Sequence, residues 1–149
     1  MSRIALMLPD LRPGGAERVF VILARDFTDR GHDVSFVLRA ARGELLDEAR
    51  ALGRVHDLRA ARVRHAPLAL ARHLRADRPD ALLVGMWPLT GAAMLGIRLA
   101  GTGTPAVLSE HTDFRHTPAI HGLHRRALPR IMPAATAGAA AITAVSEGV

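Results

Sequence analysis

"LPDLRPGGAERVFVILAR", Leu8 to Arg25, sets two adjacent glycines between the end of an apolar run and the start of a helical pattern. Upstream, "RIALMLP" has the length and the Ile/Leu content of a buried strand. Downstream, Ala16, Phe20, Leu23, Ala24 and Phe27 recur at helical spacing, and Gly31 is a fitting C-terminal stop. The pattern then repeats. "DVSFVLR" is a second strand, beginning 30 positions after the first, and "GELLDEARALG" a short helix. "RVHDL" reads as a third strand, "HAPLALARHLRADRPD" as a helix closed by Pro79, and "DALLVGM" as a fourth strand. "TGAAMLGIRLAGTG" is helical and "PAVLSEH" a fifth strand. A helix from about Ile120 to Ala137 precedes a sixth strand in "AAITAVSEG". Strands alternating with helices at this interval predict an α/β fold, a Rossmann-like open parallel sheet with helices on both faces.

Composition narrows the function classes. The 149 residues are one domain's worth, with 49% hydrophobic and 23% charged residues, the balance of a soluble globular protein. There is no cysteine, so disulfides, thiolate metal sites and a cysteine nucleophile are excluded, and a cytoplasmic location fits best. No apolar run reaches the length of a membrane span. The net charge of +6 comes from 20 basic residues, all arginine, scattered along every segment with few aromatics between them. That is a poor nucleic-acid footprint, and no nucleic acid is expected as a partner. One denser stretch, Arg59 to Arg78, carries six arginines and two histidines around an apolar stripe at Leu68, Ala71 and Leu74. It reads as a surface helix packed on the sheet, with peripheral contact to an anionic membrane as the alternative.

In an open parallel sheet, ligands gather at the carboxyl ends of the strands. Gly14 and Gly15 sit there, ahead of a helix N-terminus whose free N–H groups and dipole favour an anion. Two readings stand: a loop that admits a phosphate close to the backbone, or a tight turn that needs positive φ. The loop lacks the lysine of a P-loop, and it is not G-x-G-x-x-G. The second strand ends in Leu38, Arg39, Ala40 and Ala41 rather than in the acid that binds a ribose, which disfavours a dehydrogenase.

"LRPGGAERVFVILARDFTDRGHDVSFVLR" resembles the opening of the family 4 retaining glycosyltransferases, with a GG-[AV]-E loop and a helix ending in RGH-[DE]-V. "RPDALLVGMW", "PAVLSEHTDFR" and "AAITAVSEGV" continue the likeness in the expected order. The resemblance implies the acceptor-side half of a GT-B arrangement, with residues 1–149 as the N-terminal domain and the C-terminal nucleotide-sugar domain absent. It implies a nucleotide-sugar donor and a saccharide or lipid-linked acceptor, transfer with retention, no cofactor and no metal requirement. Gly14 and Gly15 would face the donor diphosphate, and His111 would lie beside the transferred sugar as the catalytic-site histidine. Trp87, Glu110, Asp113, Arg115 and Ser146 would contact acceptor or substrate. Glu17 reads as a first-turn capping residue, and Ser146 also reads as an N-cap.

His111, Asp113, His116, His121 and His124 are loosely spaced, and no metal site is assigned to them. Pro129 and Pro133 are expected to interrupt the penultimate helix. Such a half-enzyme is expected to be inactive by itself and to work at the inner face of the plasma membrane. The competing expectation is a stand-alone module that recruits or membrane-anchors a separate catalytic subunit.

Overall fold

The computed structural model describes residues 1–111 and 131–144. Strand β1 (Arg3–Leu8) leads into helix α1 (Gly15–Asp29), followed by β2 (Asp33–Leu38), α2 (Leu46–Leu52) and β3 (Arg54–Asp57). A 3-10 turn (Val63–His65) precedes α3 (Ala66–Asp77), β4 (Ala81–Gly85), α4 (Leu89–Ala100), β5 (Ala106–Glu110) and β6 (Ala141–Ala144). The six strands form one sheet in the order β3-β2-β1-β4-β5-β6, every pair parallel. This is the order of a doubly wound sheet, which reverses direction between β1 and β4.

The alternation of β1 builds two cores. Leu6 and Leu8 face α1 and α2 together with Phe20, Val21, Ala24 and Phe36. Ala5 and Met7 face α3 and α4 together with Leu70, Leu74, Val84, Ala93 and Leu108. Side chains one residue apart point to opposite faces, so one apolar strand is buried on both.

Helix α1 ends as expected. Gly31 adopts φ +82, its N–H donates to the Thr28 carbonyl at 2.9 Å, and the His32 N–H donates to the Phe27 carbonyl at 3.0 Å. That pair of bonds is a Schellman stop, and the left-handed residue in it favours glycine. Helix α3 packs on the sheet face and on α4, as the surface-helix reading holds, but its buried stripe is Pro67, Leu70, Ala71 and Leu74. Leu68, expected in that stripe, is exposed because it lies about 100° round the helix from Pro67. Among the described part of the penultimate helix, residues 131–136 are helical with Pro133 inside them, so Pro133 does not interrupt it. Pro129 lies outside the described residues. Among the described residues, no helix is long and apolar enough to cross a membrane.

Candidate functional site at the carboxyl edge of the sheet

Three segments meet at the carboxyl ends of β1, β4 and β5: the loop 9–14, the turn 86–88, and Glu110 with His111. The register puts Met7 beside Val84 and Gly85 beside Ser109, so the three strands end level. β4 lies between the other two, which spaces β1 and β5 by about 10 Å, the width of a small ligand.

Neither glycine of the loop adopts a positive φ. Gly14 is extended at φ −160 and ψ 165, a conformation open to any residue, and Gly15 is the first residue of α1. The tight-turn reading therefore fails. A Cβ placed on Gly15 would meet no described atom within 4 Å, so the fold itself does not require glycine there. Both glycines are exposed. A Cβ on Gly14 would collide with the Glu17 carboxylate, which folds back over the helix start without a side-chain capping bond. Glu17 thus lies in the first turn as expected, and acts through its charge at the dipole rather than through a cap.

The loop is held rigidly from below. The Leu11 N–H donates to the Arg42 carbonyl at 2.8 Å and the Leu45 N–H to the Leu11 carbonyl at 3.0 Å, tying it to the loop after β2. Asp10, 2% exposed, accepts from Arg12 Nε at 3.0 Å and from Arg42 Nε at 3.1 Å. Burial opposes ionisation of Asp10, but the bonds from Arg12 and Arg42 outweigh it and leave its pKa below the ordinary 3.8. The same pairing raises the pKa of Arg12. Asp10, Arg12 and Arg42 went unread in the sequence, although an acid just past a strand end with an arginine two residues on is a legible signal.

Trp87 follows the left-handed Met86 (φ +67) at the start of the turn into α4, and its indole packs against Gly91. Glu110, expected to contact substrate, is 6% exposed and bonded inside the protein. Its Oε2 accepts the Trp87 N–H at 3.0 Å and its Oε1 accepts the Thr90 hydroxyl at 2.7 Å. The carboxylate fixes the turn that carries Trp87. His111 is half-buried, with Nε2 2.9 Å from the Ser109 hydroxyl and its ring 6.1 Å from that of Phe20. Phe20 comes from α1, over Gly85, where any side chain would press on its ring at about 3 Å. Helix α1 and His111 therefore meet through one aromatic pair. Asp113, Arg115 and Ser146 lie outside the described residues, as do His116, His121 and His124.

A doubly wound parallel sheet with a glycine loop at its switch point defines a Rossmann-like domain. The family model for Glycosyltransferase Family 4 matches residues 13–149, and the chain belongs to that family. Among solved structures it is similar to MurG of Acinetobacter baumannii, with a TM-score of 0.62 and 16% identity over 100% of this chain and 43% of that one. It is also similar to the apo form of the lipopolysaccharide outer core galactosyltransferase WaaB, with a TM-score of 0.67 and 14% identity over 98% of this chain and 40% of that one. The fold is the one these glycosyltransferases share, and the chain spans less than half the length of either. No curated protein matches it.

Proposed function

We propose that this chain forms the acceptor-side wall of a retaining sugar transferase, which moves a sugar from a nucleotide-sugar to a saccharide or lipid-linked acceptor. The observation that carries the reading is Gly15: exposed at a helix start, free of positive φ, with no described atom within 4 Å of where a side chain would stand. Close approach of a ligand explains a glycine that the fold does not demand.

The Gly14 and Gly15 amides then face the donor diphosphate. The leaving nucleoside diphosphate gains charge as the glycosidic bond breaks, and fixed N–H dipoles stabilise it there without reorganisation. No metal ion or other cofactor enters this scheme. Attack comes from the same face as departure, with the leaving phosphate taking the acceptor's proton. With the Ser109 hydroxyl donating to Nε2, the His111 Nδ1–H is left to donate to a sugar hydroxyl, a positioning contact rather than a base. Trp87 offers a flat face to the acceptor ring, and Glu110 holds it through the backbone rather than by touching substrate. Asp113, Arg115 and Ser146 remain acceptor contacts in this scheme. The exposed arginines of the Arg62 to Arg75 stretch and Leu68 supply peripheral attachment to an anionic leaflet on the cytoplasmic side. A second domain supplies the rest of the donor site.

The test is a pair of substitutions at one position in the transferase that carries this chain. Gly15→Ala should leave the unfolding midpoint equal or raise stability by about 0.5 kcal/mol, and Gly15→Leu should abolish sugar transfer with an unchanged circular dichroism spectrum. Added Mg²⁺ or Mn²⁺ should not raise turnover. Full turnover in Gly15→Leu removes the diphosphate role.

A further inference from the structure

Away from the carboxyl edge loops of β1, β4 and β5, edge strand β3 and helix α3 bring together two histidines and a carboxylate that the transferase reading does not use. His56 lies on β3, paired in register with Val37 of β2, whose side chain belongs to the α3-side core. His73 and Asp77 lie four residues apart on α3, on one face of the helix. The imidazole rings of His56 and His73 stand 4.5 Å apart, inclined at 50°. One donor atom from each of His56, His73 and Asp77 lies within 4.8 Å of the other two.

The nitrogens call for a partner. Nε2 of His56 and Nε2 of His73 are both shielded from solvent, and neither has a hydrogen-bond partner among the described residues. Two such unpartnered buried atoms on neighbouring rings are unfavourable unless something satisfies them. Among the described residues the Asp77 carboxylate meets Arg54 Nη1 at 3.5 Å, the long limit of such a bond, while Arg54 Nη2 lies closer to Asp33, at 3.0 Å. The Asp77 carboxylate is thus weakly engaged.

We propose that His56, His73 and Asp77 bind one divalent transition-metal ion of the zinc class, which pins edge strand β3 to helix α3. Two imidazoles and a carboxylate are the donor set that suits such an ion, and the fourth position falls to water. Donor atoms on a tetrahedral zinc stand about 3.3 Å apart, so side-chain rotations close the remaining gap. A link between β3 and α3 ties the outermost strand, paired only to β2, to the core on the α3 side. The site is structural and independent of the proposed sugar transfer.

Cobalt(II) is the probe, because a tetrahedral site turns it intensely coloured. Titration of the purified chain should give a visible absorption band that saturates at one equivalent, is displaced by zinc, and accompanies a higher unfolding midpoint. His56→Gln and His73→Gln should each abolish the band, and Asp77→Asn should weaken binding on the order of tenfold or more. His65→Gln, exposed at the turn before α3, should bind as the parent does. If the glutamine variants fail to fold, Asp77→Asn decides by itself. Absence of the band in the parent, or a band unchanged in the folded His56, His73 and Asp77 variants, overturns the site.

Discussion

Asp10 shows how one residue sets the shape of the glycine loop. Its carboxylate is almost fully enclosed, yet both of its arginine partners are more than half exposed, at 66% for Arg12 and 57% for Arg42. Those guanidiniums stand beside the loop that carries Gly14 and Gly15, while their Nε atoms are anchored on Asp10. Asp10→Asn should therefore cost about 1–2 kcal/mol at pH 7, discounted from a fully buried pair for the solvent around the arginines. The folded pKa is depressed, so this contribution is complete above the ordinary carboxylate value of 3.8 and is lost as pH falls through the lower folded value. Urea unfolding of parent and variant should differ at pH 7, begin to approach as pH falls past 3.8, and converge only below the depressed folded value. Glu110 offers a second residue-scale test. A carboxylate accepts two bonds here, from Trp87 N–H and Thr90 Oγ1, and an amide presents NH₂ to one of these donors. Glu110→Gln should lower stability by about 1–3 kcal/mol in thermal melts and raise the acceptor KM more than it lowers kcat, since it shifts Trp87 and touches no reacting atom.

At the scale of elements, the arginines do more than solvate helix faces. Arg3 from β1 donates Nη1 to the Asp77 carbonyl at 2.7 Å and Nη2 to that of Arg78, at the end of α3. Arg75 from α3 donates Nε to the Ala100 carbonyl at 3.1 Å and Nη2 to that of Leu99, at the end of α4. Arg98 from α4 donates to the Ala137 carbonyl at 2.7 Å, just past the helical residues 131–136. Each of these three helix ends, with its unpaired carbonyls and negative dipole end, receives a guanidinium from a neighbouring element. Arg75→Ala should cost about 0.5–1 kcal/mol, and Arg75→Lys should recover less than half of it, because an ammonium does not reproduce the two-pronged fork. Thermal unfolding of the three proteins measures this. In the sequence these arginines read as background, since their partners are backbone atoms 24 to 75 residues away. The helices themselves were legible, because the period of Ala16, Phe20, Leu23, Ala24 and Phe27 is a local property. The side α3 buries was legible only to within one residue, since Leu68 fits an i, i+3 series with Ala71 and Leu74 as well as Pro67 does with Leu70.

For the whole molecule, the alternation of strands and helices was enough to read a parallel doubly wound sheet, and that sheet brings Gly14, Trp87 and His111 to one edge. Their local settings were not readable. Phe20 against His111 and Glu110 against Trp87 are meetings of segments that only the strand order makes neighbours. The same edge bears on how much of the proposed donor site this chain would hold. Its glycines are open to solvent, and its two nearby cations are exposed and half-committed to Asp10. An anion there meets free amides and a screened positive field, but only one wall. Affinity of the 149-residue chain for a nucleoside diphosphate should thus be weak, with a Kd on the order of 1 mM, and should fall as salt rises from 50 to 300 mM because exposed charges are screened within about 10 Å. Arg42→Ala should weaken it further, and Gly15→Leu should remove it. Calorimetric titration with uridine diphosphate at the two salt concentrations reads all three effects. Micromolar binding that ignores salt would mean that this chain encloses a complete nucleotide pocket, and a cleft shared with a second domain would then be the wrong picture of how the sugar donor is held.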